Sequence, residues 1–179
     1  MKTDEEIQRF FLKYRIIDKI WLGSLPKHLQ ELQRRVIQAH SKLAVDMLVR
    51  ILSQIRYEAK EVLPNEAWVI INPLIQQSLE AIPYMSKISI IKSYSDVSED
   101  LERALVKVNS YRNEFAHPRT DFLLEKYNIK TSKGKIGLRN LARAIEKAEN
   151  LFLEHTQNSD ACKYYVRKQL EIMKTSKKS

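Results

Sequence analysis

Arg112, Asn113 and His117 are the side chains of this sequence best suited to chemistry on a phosphate. They stand in Tyr111-Arg112-Asn113-Glu114-Phe115-Ala116-His117-Pro118. A guanidinium is a permanent cation whose planar fork grips two phosphate oxygens. Imidazole titrates near neutral pH and can take or give a proton. RNA carries its own nucleophile, so its cleavage needs only proton transfer and charge stabilisation. The plainer reading is structural: Arg112 caps or forms an ion pair, and His117 binds the exposed carbonyls at a helix end.

The element that must position these residues is a helix from Asp96 toward Pro118. Leu101, Ala104, Leu105, Val108, Tyr111 and Phe115 recur at steps of three and four, so one face is expected to be buried. Asp96 with Glu99 forms a capping-box pattern, and Ser98 is a rival N-cap. Pro118 stops the helix and biases His117 away from helical dihedrals. On a regular helix, five residues turn through about 500°, leaving Arg112 and His117 about 140° apart and ~7.5 Å along the axis. The pair therefore needs either an unwound helix end or a site shared between two chains.

Only 3 glycines and 5 prolines occur in 179 residues, too few for the turns of a sheet, so an all-α bundle of about five to seven helices is expected. The length suits one domain, placed over residues 1–173, with 174–179 a disordered basic tail. The single Cys162 excludes an internal disulfide and fits a reducing cytosol. MKTDEEIQRFFLKY lacks a signal-peptide pattern, and no apolar run approaches a membrane span. These features point to a cytoplasmic protein without a membrane partner.

Along the chain, Thr3 and Glu6 open an amphipathic stripe of Ile7, Phe10, Phe11, Tyr14, Ile17, Ile20 and Trp21, closed by Gly23. A second helix starts at Ser24 and Pro26 and is expected to run to about Val62. His40 lies near its apolar stripe and reads as structural. Leu63-Pro64 breaks the chain, and Asn65 is expected to cap a third helix through Leu79. That helix is the most apolar part of the sequence, and is either the core centre or a subunit interface. Tyr84 to Tyr94 reads as a short helix, with Met85, Ile88 and Ile91 at helical spacing, though ISII could also pass for a strand. Phe122 to Tyr127 forms a turn of helix, and TSKGK reads as a basic loop with Gly134 at its tip. Ile136 to His155 is a helix, and Asp160 is expected to cap a last one ending near Met173.

Net charge is +9, and it is placed unevenly. Residues 119–143 carry +5 and residues 163–179 another +5, which leaves the rest one unit negative. The positive charge follows the Arg112–His117 stretch, which suits a polyanion such as RNA; a solubilising surface is the alternative. Arg119, Lys130, Lys133, Lys135 and Arg139 are the candidate nucleic-acid contacts. His28, His40, His117 and His155 lack helical zinc spacing, and three glycines cannot build a phosphate loop. No metal or cofactor is expected.

Arg112-Asn113-x-x-x-His117 resembles the signature of the HEPN superfamily, an arginine followed by a polar residue and then, after four to six intervening positions, a histidine. The resemblance covers this stretch in detail and the other helices in character only. It implies a compact all-helical bundle, often dimeric, and frequently a metal-independent ribonuclease acting as a toxin or antiviral effector. It would make His117 the proton-transfer group, Arg112 the stabiliser of phosphoryl charge, and Asn113 the residue that orients either. It implies a homodimer with both motifs lining one cleft, and a protein antitoxin as a partner. A subgroup has a tyrosine two residues after the histidine, a target for inactivation by a partner nucleotidyltransferase; Arg119 stands there in this chain, so the resemblance does not extend to an antitoxin of that type. Some members have lost catalysis and serve as nucleic-acid-binding or dimerisation modules.

Overall fold

The structure is a computed structural model and describes residues 26–116 and 120–176. The stripe from Ile7 to Trp21, His117 and Arg119 all lie outside the described residues. Seven helices and no strand occur among the described residues: α1 (Lys27–Glu58), α2 (Asn65–Glu80), α3 (Tyr84–Tyr94), α4 (Glu99–Ala116), α5 (Thr120–Lys126), α6 (Ser132–Gln157) and α7 (Asp160–Ser176). The all-α expectation is met. No helix among the described residues is long and apolar enough to cross a membrane.

Proline starts three of these helices. Pro26, Pro64 and Pro83 each hold an extended conformation just before α1, α2 and α3. Their carbonyls then accept the first helical bonds, from Gln30, Trp68 and Lys87. A fixed proline φ and a missing N–H suit that boundary. α1 ends at Glu58, short of the expected Val62. The cause is Arg56, which is 1% exposed. Its guanidinium donates to Leu63 O at 2.7 Å and to Asn65 Oδ1 at 2.5 Å, turning the chain back on itself. Asn65 therefore holds this turn instead of capping α2.

α1 runs through the centre and packs on α2, α3, α4, α6 and α7. Two apolar clusters lie along it. One joins Leu43, Met47 and Ile51 to Ile88, Ile91, Leu101, Leu105, Val108 and Phe152. The other joins Leu29, Leu32 and Val36 to Tyr111, Phe115, Leu123, Tyr127 and Leu141. α1, α4 and α6 contribute to both, and the whole stripe expected on α4 is buried.

Several local expectations are corrected. Ser98, not Asp96, caps α4, its hydroxyl accepting from Leu101 N at 3.2 Å. Val97 packs on the core, so the chain commits to the helix only after it. Ser159 Oγ accepts from Cys162 N at 3.3 Å and takes the capping place expected of Asp160. α7 then runs on to Ser176, past the expected end at Met173 and into the segment read as tail. TSKGK is no loop: Thr131 caps α6 by accepting from Gly134 N at 3.0 Å, and Gly134 is buried in the first turn. A Cβ at Gly134 would meet Asn128 backbone atoms at 2.0 Å, so the helix start lies flush against the preceding turn.

α2 departs most from expectation. It is the most apolar stretch of the sequence, yet Trp68 is its one buried residue. Val69, Ile70 and Leu74 are 52%, 72% and 64% exposed, so α2 is not the core centre.

Candidate functional site

The last turn of α4 is fixed on its inner side and open on its outer side. Tyr111 and Phe115 are buried, and the Phe115 ring stacks on Tyr127 with centroids 5.5 Å apart. Gln33 of α1 donates from Nε2 to Phe115 O at 3.1 Å, satisfying a carbonyl that a helix end leaves without an intrahelical partner. Glu114 accepts from Lys126 Nζ at 2.7 Å and from the Tyr127 hydroxyl at 3.0 Å. α1, α5 and the turn before α6 therefore all hold this turn. Arg112 and Asn113 project from it into solvent.

Arg112 Nη1 donates to Asn113 Oδ1 at 3.2 Å. Among the described residues no carboxylate pairs with Arg112. The ion-pair reading of Arg112 thus gains no support from these residues. α4 as described ends at Ala116, whereas the 140° separation assumed a regular helix through His117.

A histidine that the sequence reading took as structural stands beside this pair. His40 of α1 bonds through Nε2 to Asn109 Oδ1 at 3.1 Å, and an oxygen acceptor there requires Nε2 to carry the proton. Its ring stacks on Tyr84 with centroids 4.2 Å apart. Asn109 lies three and four residues before Arg112 and Asn113, hence on the same face of α4. Nothing local in the sequence joins His40 to Asn109, which are 69 residues apart; only a polar residue beside an apolar stripe hinted at it.

Burial pushes the His40 pKa below its ordinary value of 6.5; the Asn109 bond opposes the shift, and Arg112 and Lys87 add to it. Burial, aided by Arg50, likewise lowers His155, far along the bundle. Both imidazoles are harder to protonate folded than unfolded. Their contribution to stability is therefore complete above about pH 6.5 and is lost as pH falls through the lowered folded values. The urea midpoint is expected to fall on acidification through this window. His40→Gln should flatten that fall; an unchanged slope would refute the assignment.

The basic residues gather at the same end of the molecule. Lys130, Lys133, Lys135 and Arg139 are all exposed, around the start of α6. Lys133 pairs with Glu125 at 2.5 Å, and the neighbouring Lys126 reaches Glu114. The start of α6 is thus tied through α5 to the turn that carries Arg112 and Asn113. A groove of about 510 Å³ lies elsewhere, between α1 and α6, and none of its lining residues belongs to the motif. Among the described residues no three His, Cys, Asp or Glu side chains gather as metal ligands.

What the fold and site define is an all-helical bundle with an open arginine–asparagine pair at a braced helix end. Comparisons with protein-family models, curated proteins and solved structures find no match to this chain.

Proposed function

We propose that this protein is a metal-independent endoribonuclease of the HEPN type, acting in the cytoplasm as a toxin or antiviral defence effector. The observation that carries the reading is Arg112. It projects from a braced helix end, pairs with no acid among the described residues, touches Asn113, and precedes His117 in the spacing of the signature. In the proposed reaction the ribose 2′-oxygen attacks the adjacent phosphorus, forming one P–O bond as the bond to the 5′-oxygen breaks. His117 moves a proton at the 2′-hydroxyl or at the leaving oxygen. Arg112 stabilises the charge that gathers on the phosphoryl oxygens, and Asn113 orients the histidine or the phosphate. RNA approaches over Arg119, Lys130, Lys133, Lys135 and Arg139. The working form is a homodimer whose two motifs line one cleft, and a protein antitoxin is a partner of the toxin form.

The test is cleavage of RNA in EDTA by the wild type beside Arg112→Ala and His117→Ala. A second reading, a non-catalytic dimerisation or binding module, is favoured by the exposed apolar face of α2; RNA binding without cleavage would select it. In either case, neutralising Lys130, Lys133, Lys135 and Arg139 together is expected to lower RNA affinity. The slope of log affinity on log salt should shrink by about 0.7 for each lost phosphate contact on a single strand. A slope that stays constant would move the RNA path off this end of the molecule.

A further inference from the structure

We propose that Asn109 binds the phosphate next to the one held by Arg112, so that α4 grips two successive phosphates of a single RNA strand, and that His40 positions Asn109 for this. The assignment rests on RNA as the partner and adds a second phosphate site to it. Asn109 precedes Arg112 and Asn113 by three and four residues, so the three share one face of α4. Arg112 and Asn113 are exposed, and Asn109 is half-buried where α4 meets α1.

The hydrogen bonds select the ligand. An asparagine side chain accepts at Oδ1 and donates at Nδ2. Both asparagines of this face have the accepting end occupied. His40 Nε2 donates to Asn109 Oδ1 at 3.1 Å, and Arg112 Nη1 donates to Asn113 Oδ1 at 3.2 Å. No acceptor among the described residues takes either amino group, and that of Asn109 is not buried away from water. An asparagine that reads a base edge offers both of its ends. Here only donors are left: two amino groups with a guanidinium beside them. A phosphate, whose oxygens only accept, is the part of a nucleotide that such a row fits.

The orientation of Asn109 is held from behind. The His40 ring is fixed by its stack on Tyr84, with centroids 4.2 Å apart, and aims Nε2 at Asn109. Turning the amide over would set its amino group against Nε2–H, two donors facing each other, so Nδ2 stays outward. The cations Arg112 and Lys87 both act on His40, and no carboxylate counters them there. The local field therefore favours an anion. Asn109 stands about one helical turn, ~5 Å, before the Arg112–Asn113 pair. That separation lets the two positions hold neighbouring phosphates of one strand instead of sharing a single phosphate.

Binding of a short 2′-O-methyl RNA strand, which has no free 2′-hydroxyl to attack, tests the assignment apart from cleavage. Asn109→Leu removes the donor and is expected to weaken binding about tenfold. Asn109→Asp still accepts from His40, so it keeps the internal bond while turning a negative oxygen toward the phosphate; it should bind more weakly still, with no fall in melting point. Ser110→Asp, exposed on the next face of α4, adds the same charge and should stay within about twofold of wild type in salt that screens it. His40→Gln keeps a donor for Oδ1 and should bind as the wild type does, whereas His40→Leu frees the amide and should lose part of the affinity. In cleavage assays on unmodified RNA, Asn109→Leu should raise KM and spare kcat, the reverse of Arg112→Ala. Unchanged affinity in Asn109→Leu, or equal losses in Asn109→Asp and Ser110→Asp, would overturn the proposal, and RNA cleavage by the same wild type would leave the nuclease reading standing. Binding that depends on Asn109 in a wild type that cleaves nothing would uphold the phosphate site and remove the nuclease.

Discussion

Arg112→Ala is expected to lower RNA cleavage by about a thousandfold while leaving the fold intact. Removing one preorganised donor from a developing oxyanion costs about 10²–10³ in rate, and a cationic bidentate donor sits at the upper end of that range. The loss should fall on kcat more than on KM, because the interaction strengthens as charge gathers in the transition state. Stability should not move. Arg112 is exposed, its bond is to the adjacent Asn113, and no acid among the described residues depends on it. Arg112→Lys keeps the charge but loses the planar fork, so it should recover only part of the activity. Thermal melts run beside single-turnover cleavage separate the two effects. A variant that cleaves at the wild-type rate would remove Arg112 from the chemistry.

Trp68→Ala is expected to cost about 3–5 kcal/mol of stability, the range for deleting a large buried aromatic side chain. At two to four degrees per kcal/mol for a chain of this size, the melting point should fall by roughly ten degrees. The indole is 1% exposed, with the Arg56 guanidinium 5.0 Å above its ring and the Tyr165 ring edge-on at 6.4 Å. It is the one fully buried side chain of α2. Its removal also leaves the buried Arg56 cation facing a void, although the bonds to Leu63 and Asn65 remain. Trp68→Phe keeps an aromatic face and should cost much less. Chemical unfolding followed by circular dichroism measures both. A loss below about 1 kcal/mol for the alanine, within the usual range of surface substitutions, would mean that α2 is not anchored through this ring.

The sequence made the bundle readable wherever burial follows period. The stripe from Leu101 to Phe115 lies inside as expected, and Tyr84 to Tyr94 is a helix despite its strand-like ISII. What was not readable are choices between near-equal local partners. Asp96 and Ser98 both suit a cap, and the packing of Val97 on the core selects the serine. Asn65 had a capping place open to it but accepts from Arg56, nine residues earlier, across a turn that no periodicity encodes. Gly134 looked like a loop tip because glycine usually marks one; here it lets backbone approach backbone. For the site, Arg112 and Asn113 were visible as a motif. His40 reads as structural, and its bond to Asn109 and stack on Tyr84 are contacts between distant helices that no local pattern encodes. The apolarity of α2 suggested burial, yet Trp68 is its one buried residue and Ile70 and Leu74 stay exposed among the described residues.

The most direct test of the central claim is single-turnover cleavage of RNA in EDTA by the wild type and by His117→Ala, at equal concentration and with matched melting curves. Wild-type cleavage to 2′,3′-cyclic phosphate ends, abolished in the alanine variant, is the result predicted. Cleavage by His117→Ala at the wild-type rate, or no cleavage of RNA by a folded wild type that binds it, would contradict the claim.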